Sequence, residues 1–148
     1  MASFTLLREI EAPPETVFDV LTDHRRYAEI TPLRKSELER EGEPAPNGVG
    51  SIRVLGAVGP DLREETIVYE RPRRFSYKVL SGLPVRDHVG TVSLEPSTGG
   101  GTKVTYALKV TPTVPVFGGV VVAFVKQAIV QLLNGVTAES ERRAAAGG

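Results

Sequence analysis

Along most of the chain apolar residues alternate with polar ones at the two-residue period of a half-buried strand, and in few places does the period lengthen to that of a helix. Residues 3–11 (SFTLLREIE) place Phe4, Leu6 and Ile10 on one side of a strand. Ala12-Pro13-Pro14 ends that strand. Pro14 suits a first helical turn, Glu15 complements the positive end of a helix, and Val17, Phe18 and Leu21 form an apolar face, so a short helix is predicted over Pro14–Thr22. Arg25–Ile30 fits a further helical turn before Thr31-Pro32 stops it. Six strands follow. The polar stretch Leu33–Glu41 reads as a charged edge strand. Val49–Val58, Leu62–Glu70, Phe75–Val79, Asp87–Glu95 and Thr102–Val110 read as the others, separated by Gly- and Pro-rich turns. The spacing puts Ile67 and Tyr69 on one face, and Val104, Tyr106, Leu108 and Val110 on another. Val89 is out of phase with Val92 and Leu94, and Gly90 between them marks an expected bulge.

The apolar run Pro115–Arg143 predicts the long helix of the chain. At the helical period, Val121, Phe124, Val125, Ala128, Leu132, Gly135 and Val136 form one stripe, small in the middle and bulky around it. That shape suits a helix pressed against a concave sheet with a cavity between them. Val122, Ala123, Val130 and Leu133 lie outside the stripe, a surplus that suits a homodimer or a peripheral membrane contact. Lys126, Gln127 and Gln131 interrupt the run short of the ~20 residues a bilayer span needs, so no transmembrane span is expected. The final AAAGG reads as a frayed tail. Adjacent strands with helices segregated to one side make an α+β, antiparallel design, and the absence of repeats or linkers predicts a single domain over 1–148.

Composition narrows the function classes. Hydrophobic residues make up 41% and charged residues 24% of 148, a globular balance. Eighteen basic residues cancel eighteen acidic ones, so no global field attracts nucleic acid. With no cysteine, disulfides, thiolate catalysis and Cys-ligated metals are all removed. The N-terminus lacks the basic and apolar regions of a signal peptide, and a cytoplasmic location is expected.

One order of features is now complete: a strand, APPETVFDVLTD, Tyr27 and ITP shortly after, six strands of which the last opens with GGGTKVTY, and a closing long helix. Over nearly its whole length the chain resembles the polyketide cyclase/dehydrase and lipid-transport group of the START-like (helix-grip, SRPBCC) superfamily. The resemblance implies a seven-stranded antiparallel sheet curled around the C-terminal helix, one or two short helices after the first strand, and an elongated hydrophobic cavity with a lid near Tyr27. Members bind lipids, sterols, polyketides or plant hormones, and some are cyclases or act on bound aromatic substrates. The motifs that carry the resemblance are structural signatures rather than catalytic ones, and one scaffold hosts many chemistries.

Candidate chemistry is sparse. His24 and His88 are the two histidines, and neither has Asp or Glu at ligand spacing, so no metal and no cofactor is expected. Gly99-Gly100-Gly101 lacks the helix and Lys of a phosphate loop and reads as a hairpin turn. Gly118-Gly119 reads as close packing or as a hinge at a cavity mouth. In Arg86-Asp87-His88, strand alternation places Arg86 and His88 on one face. Turned inward, Arg86 could hold an anionic or enolic oxygen and His88 could move a proton; turned outward, they are ordinary surface charges. Tyr77 and Tyr106 alternate with apolar residues and are expected to face inward, where each hydroxyl needs a partner. Arg53 stands in a strand otherwise small or apolar, and an inward Arg53 requires a carboxylate from Glu64 or Glu65. Arg71, Arg73 and Arg74 read as solvated.

Three functions fit these features. The first is a binding protein for a small hydrophobic molecule, lined by Phe18, Tyr27, Val54, Tyr77, Tyr106, Val121, Phe124, Val125 and Ala128. The second is a cyclase or dehydratase that folds a poly-carbonyl substrate, with Arg53, Tyr77 or His88 assisting proton transfer. The third is an interaction module using the outer side of the last helix.

Overall fold

The alternating segments pair into one antiparallel sheet, with seven strands among the described residues. The computed structural model describes residues 2–57 and 59–147. In chain order the elements are β1 (Ala2–Ile10), α1 (Pro14–Thr22), a 3-10 turn at His24–Arg26, α2 (Tyr27–Ile30), β2 (Lys35–Arg40) and β3 (Ile52–Gly56). Then come β4 (Leu62–Glu70), β5 (Arg74–Ser81), β6 (Val85–Pro96), β7 (Thr102–Pro112) and α3 (Gly118–Gly147). The strands lie in the order β1-β7-β6-β5-β4-β3-β2. Successive strands from β2 to β7 are therefore neighbours, and β1 returns to pair with β7. The link from β1 to β2 must cross the whole sheet, and it does so through the short helices.

The strand edges match the sequence reading to within a few residues, and of four register shifts among the described residues of the sheet two change the facing of residues singled out in the sequence. In β4 the pairing with β5 shifts between Thr66 and Val68. That shift turns Tyr69 inward, edge-on to Phe18 with ring centroids 5.1 Å apart, and leaves Ile67 exposed. Ile67 and Tyr69 therefore do not share a face. In β6 the shift falls between Arg86 and Val89, with Asp87 in the left-handed region at φ 53°, rather than at Gly90. Arg86 is consequently exposed while His88 is buried, which overturns the shared face expected for the two.

The last helix also departs from expectation. It begins at Gly118 and runs through Gly147, so the small residues taken for a frayed tail are helical up to that point. Its buried positions are Val125, Ile129, Leu133, Val136 and Ser140, at spacings of three and four. Phe124 is 61% exposed and Ala128 is exposed, whereas Leu133, placed outside the stripe by the sequence, is in the core. The first half of α3 is apolar nearly all round, so periodicity alone does not select a face; the neighbouring elements do. Gly135 meets the end of α2 so closely that a Cβ would overlap the Ile30 carbonyl oxygen. Turning Gly135 toward α2 brings Ile129 and Leu133 onto Val17, Phe18, Tyr106 and Leu108. By length and composition α3 reaches what a bilayer crossing needs, but in this fold it is the core helix.

The two halves of α3 are held unequally. Near the C-terminal end, Arg8 Nη1 donates to Thr137 Oγ1 at 3.3 Å, and Glu141 Oε2 accepts from the Glu11 backbone N–H at 3.0 Å. Around the N-terminal end, Val116, Phe117, Val120 and Phe124 are exposed.

Candidate functional site

The inner face of β3 and β4 carries charge where a sheet core is ordinarily apolar. Arg53 and Glu64 are direct cross-strand partners, so their side chains leave the sheet side by side. The Arg53 guanidinium, 1% exposed, donates from Nε to Glu64 Oε1 at 3.0 Å, and its Nη2 forms an ion pair with the same oxygen at 3.0 Å. Its Nη1 donates to Thr66 Oγ1 at 2.7 Å, and Ser51 Oγ donates to the same oxygen at 3.0 Å. Nη1 also lies 3.3 Å from His24 Nε2. An arginine can only donate, so His24 Nε2 accepts and its Nδ1 carries the proton, without a partner in the protein. Burial first, and the Arg53 charge second, hold the His24 imidazole well below its ordinary titration range. Burial outweighs the attraction of Arg53 at Glu64 and raises its carboxyl above the usual value.

Aromatic rings close over this pair. Arg53 Cζ stands 5.3 Å from the Phe75 ring centroid and 5.1 Å from that of Tyr77. Tyr27 stands edge-on to His24 at 5.3 Å and donates its hydroxyl to the Leu21 carbonyl, which ties α2 back onto α1. The Arg53 guanidinium thus meets protein groups at Nε, Nη1 and Nη2.

Further along the wall, toward the start of α3, the side chains differ. Tyr77 and Tyr106 are hydrogen bonded through their hydroxyls. Burial raises both phenols far above their ordinary values, so both are neutral donors rather than bases. Gly90, opposite Tyr77 across the β5–β6 pair, makes room for that ring: a Cβ there would stand 2.5 Å from it. His88 follows, its ring centroid 6.0 Å from that of Tyr77. It is 4% exposed, and neither ring nitrogen has a partner in the protein. Burial pushes its imidazole down to about 4.

The residues singled out in the sequence thus divide. Arg53, Tyr77, Tyr106 and His88 share one inner wall, with Phe18, Tyr27 and Val125 buried in the adjoining core and Val121 half-buried. Val54, next to inward Arg53, lies on the other face of the sheet opposite Arg63. Phe124 and Ala128 lie on the outer side of α3. Ser51, Thr66 and His24 complete the Arg53 cluster and were not anticipated. The alternation Glu64-Glu65-Thr66, polar at two successive inward positions, was the available signal.

The two clearest depressions do not contain this wall. One of about 160 Å³ lies among Val20, Asp23, Ile30, Glu139 and Arg142. The other, broad and open at about 730 Å³, lies beside the β6–β7 hairpin where β1 ends. Both are lined largely by charged or turn residues, the first between the short helices and the end of α3, the second at the hairpin end of β6. Phe4, Val79, Leu83, Val85 and Val122 are among the half-buried apolar side chains packed against the core. Val85 pairs with Pro112, Gly118 stands against Pro112, and Lys126 Nζ lies 5.9 Å from the Phe4 ring centroid, so Val85 and Phe4 lie near the start of α3.

Comparison with known proteins supports the architecture. The sequence pattern described as polyketide cyclase/dehydrase and lipid transport matches residues 1–141. No curated protein matches the chain. Among solved structures, the XoxI protein of Bacillus cereus is 19% identical with a TM-score of 0.75, over 95% of this chain and 96% of that one. A START superfamily protein from Mycobacterium smegmatis is 14% identical with a TM-score of 0.73, over 99% of both chains. The TTHA0849 protein of Thermus thermophilus is 24% identical with a TM-score of 0.67, also over 99% of both. At such identities these structures speak for the fold.

Proposed function

The chain belongs to the polyketide cyclase/dehydrase and lipid-transport family, and from that premise we propose that it binds a small hydrophobic molecule between the sheet and α3. The ligand enters at the end where α3 begins. The observation that carries this reading is the set of half-buried apolar side chains, among them Phe4, Val79, Leu83, Val85 and Val122, packed against a core whose inner wall is aromatic. Such a surface is apolar with few polar groups, the composition of small-molecule sites. Val116, Phe117 and Val120, exposed around the start of α3, add apolar surface at that end.

A cyclase or dehydratase acting on a bound poly-carbonyl compound is the second reading, favoured by the convergence of Tyr77, Tyr106 and His88 on one wall. It stands behind binding because the phenols are held neutral and Arg53 is already paired with Glu64. The deciding experiment is native mass spectrometry of the purified protein, with extraction of copurified compounds and thermal shifts against fatty, sterol and aromatic ligands. Binding of one class with a raised melting temperature supports the proposal. Failure of all classes to bind overturns it, and turnover of a bound aromatic or poly-carbonyl compound moves the second reading ahead.

A further inference from the structure

We propose that the interior selects uncharged ligands bearing a carbonyl or hydroxyl oxygen over carboxylates, and that His88 is the hydrogen-bonding partner of that oxygen. This rests on the binding reading above and names the ligand class for that same site.

His88 holds two ring nitrogens inside the fold. Buried polar atoms nearly always have a partner, because leaving one unmet costs about 1–3 kcal/mol. His88 is 4% exposed, and no protein group bonds either nitrogen. The nearest polar side chains do not supply one: the Tyr77 and Tyr106 hydroxyls bond each other. The backbone turns this ring inward, since the bulge with Asp87 at φ 53° separates His88 from Arg86 and leaves the cation outside. A neutral imidazole offers one N–H and one lone pair. It can therefore donate to a ketone or accept from an alcohol or phenol, and the Tyr77 ring beside it suits a planar ligand.

Charge decides against acids. Among the described residues, Arg53 is the one Lys or Arg in the buried set, and Glu64, Thr66 and His24 already take its donors. Arg8 is half-buried but reaches Thr137 toward the other end of β1. Lys126 is exposed on α3. A carboxylate brought to His88 would be buried without a counter-cation, which is strongly unfavourable. Burial holds the His88 imidazole low, so protonating it to meet a carboxylate would itself cost free energy.

The test uses four fluorescent probes of one shape: naphthalene, naphthol, methyl naphthyl ketone and naphthoate, titrated at pH 7 into wild type, His88→Leu and His88→Gln. The ketone and naphthol should bind at least about ten-fold more tightly than naphthoate, the discrimination expected of one buried polar partner. His88→Leu should lose about the same factor for ketone and naphthol relative to naphthalene, and His88→Gln, which keeps a donor and an acceptor, should recover part of it. Naphthoate binding within two-fold of the ketone, or undiminished ketone binding by a folded His88→Leu, overturns the inference while the binding reading stands. Failure of every probe, naphthalene included, removes both.

Discussion

Arg53 and Glu64 show how a buried ion pair is to be judged. Desolvation offsets much of their attraction, so the pair adds little net stability, yet losing one partner strands the other. Arg53→Met and Glu64→Leu should each destabilise the fold by about 3–5 kcal/mol, and the double substitution Arg53→Met/Glu64→Leu should lose far less than the sum. Urea denaturation of the four proteins measures this, and additive losses would show the two groups to be uncoupled. His88 makes a separate prediction. It titrates near the ordinary histidine value of 6.5 when unfolded and at about 4 when folded. As pH falls below 6.5 the unfolded chain binds a proton that the fold refuses, so stability is full above that pH and declines toward 4, by on the order of 3 kcal/mol. His24 acts in the same direction, and Glu64, whose carboxyl is raised, acts oppositely. The difference between wild type and His88→Leu isolates the term: the variant's pH profile should be flatter by that amount, and parallel profiles would refute a buried neutral His88. The need of Arg53 for a carboxylate was legible in the sequence, because a buried guanidinium admits few alternatives. The facing of His88 was not, because a one-residue bulge reverses alternation without leaving a distinctive residue behind.

Among the elements, α3 separates what periodicity can specify from what packing must. The existence of the helix followed from its apolar run, but a helix apolar nearly all round has no preferred face until a partner chooses one. Gly135 against Ile30 makes that choice. Ile129→Ala should therefore cost about 2–5 kcal/mol as a core deletion, whereas Phe124→Ala should stay within about 0.5 kcal/mol. Equal losses in thermal melts would restore the stripe expected from sequence. Strand boundaries were legible for the opposite reason: turn residues such as Arg71-Pro72-Arg73 and Gly99-Gly100-Gly101 interrupt the alternation sharply.

For the molecule as a whole, the order of strands and helices was sufficient to specify the sheet, since hairpin-length links leave neighbouring strands few other arrangements. The polar wall required three-dimensional register, because Arg53, His24 and Thr66 meet from three separate segments. If a ligand occupies that interior, its binding is linked to folding. At a concentration of 100 times its Kd it should add about 2.7 kcal/mol, which raises the melting temperature by roughly 5–10 °C. A bound compound that leaves the transition unmoved would be sitting elsewhere.

The unequal fastening of α3 has a dynamic consequence. Only its C-terminal half is tied by Arg8–Thr137, Glu11–Glu141 and the Gly135–Ile30 approach, so the helix is anchored like a cantilever. Opening should then start at the free end without melting the sheet. Amide hydrogen exchange across residues 121–127 should be at least about ten-fold faster than across 129–140, and uniform protection would mean that the helix moves as one piece. A molecule built this way can admit a guest by lifting a single helical turn or two, while the buried Arg53–Glu64 end stays closed.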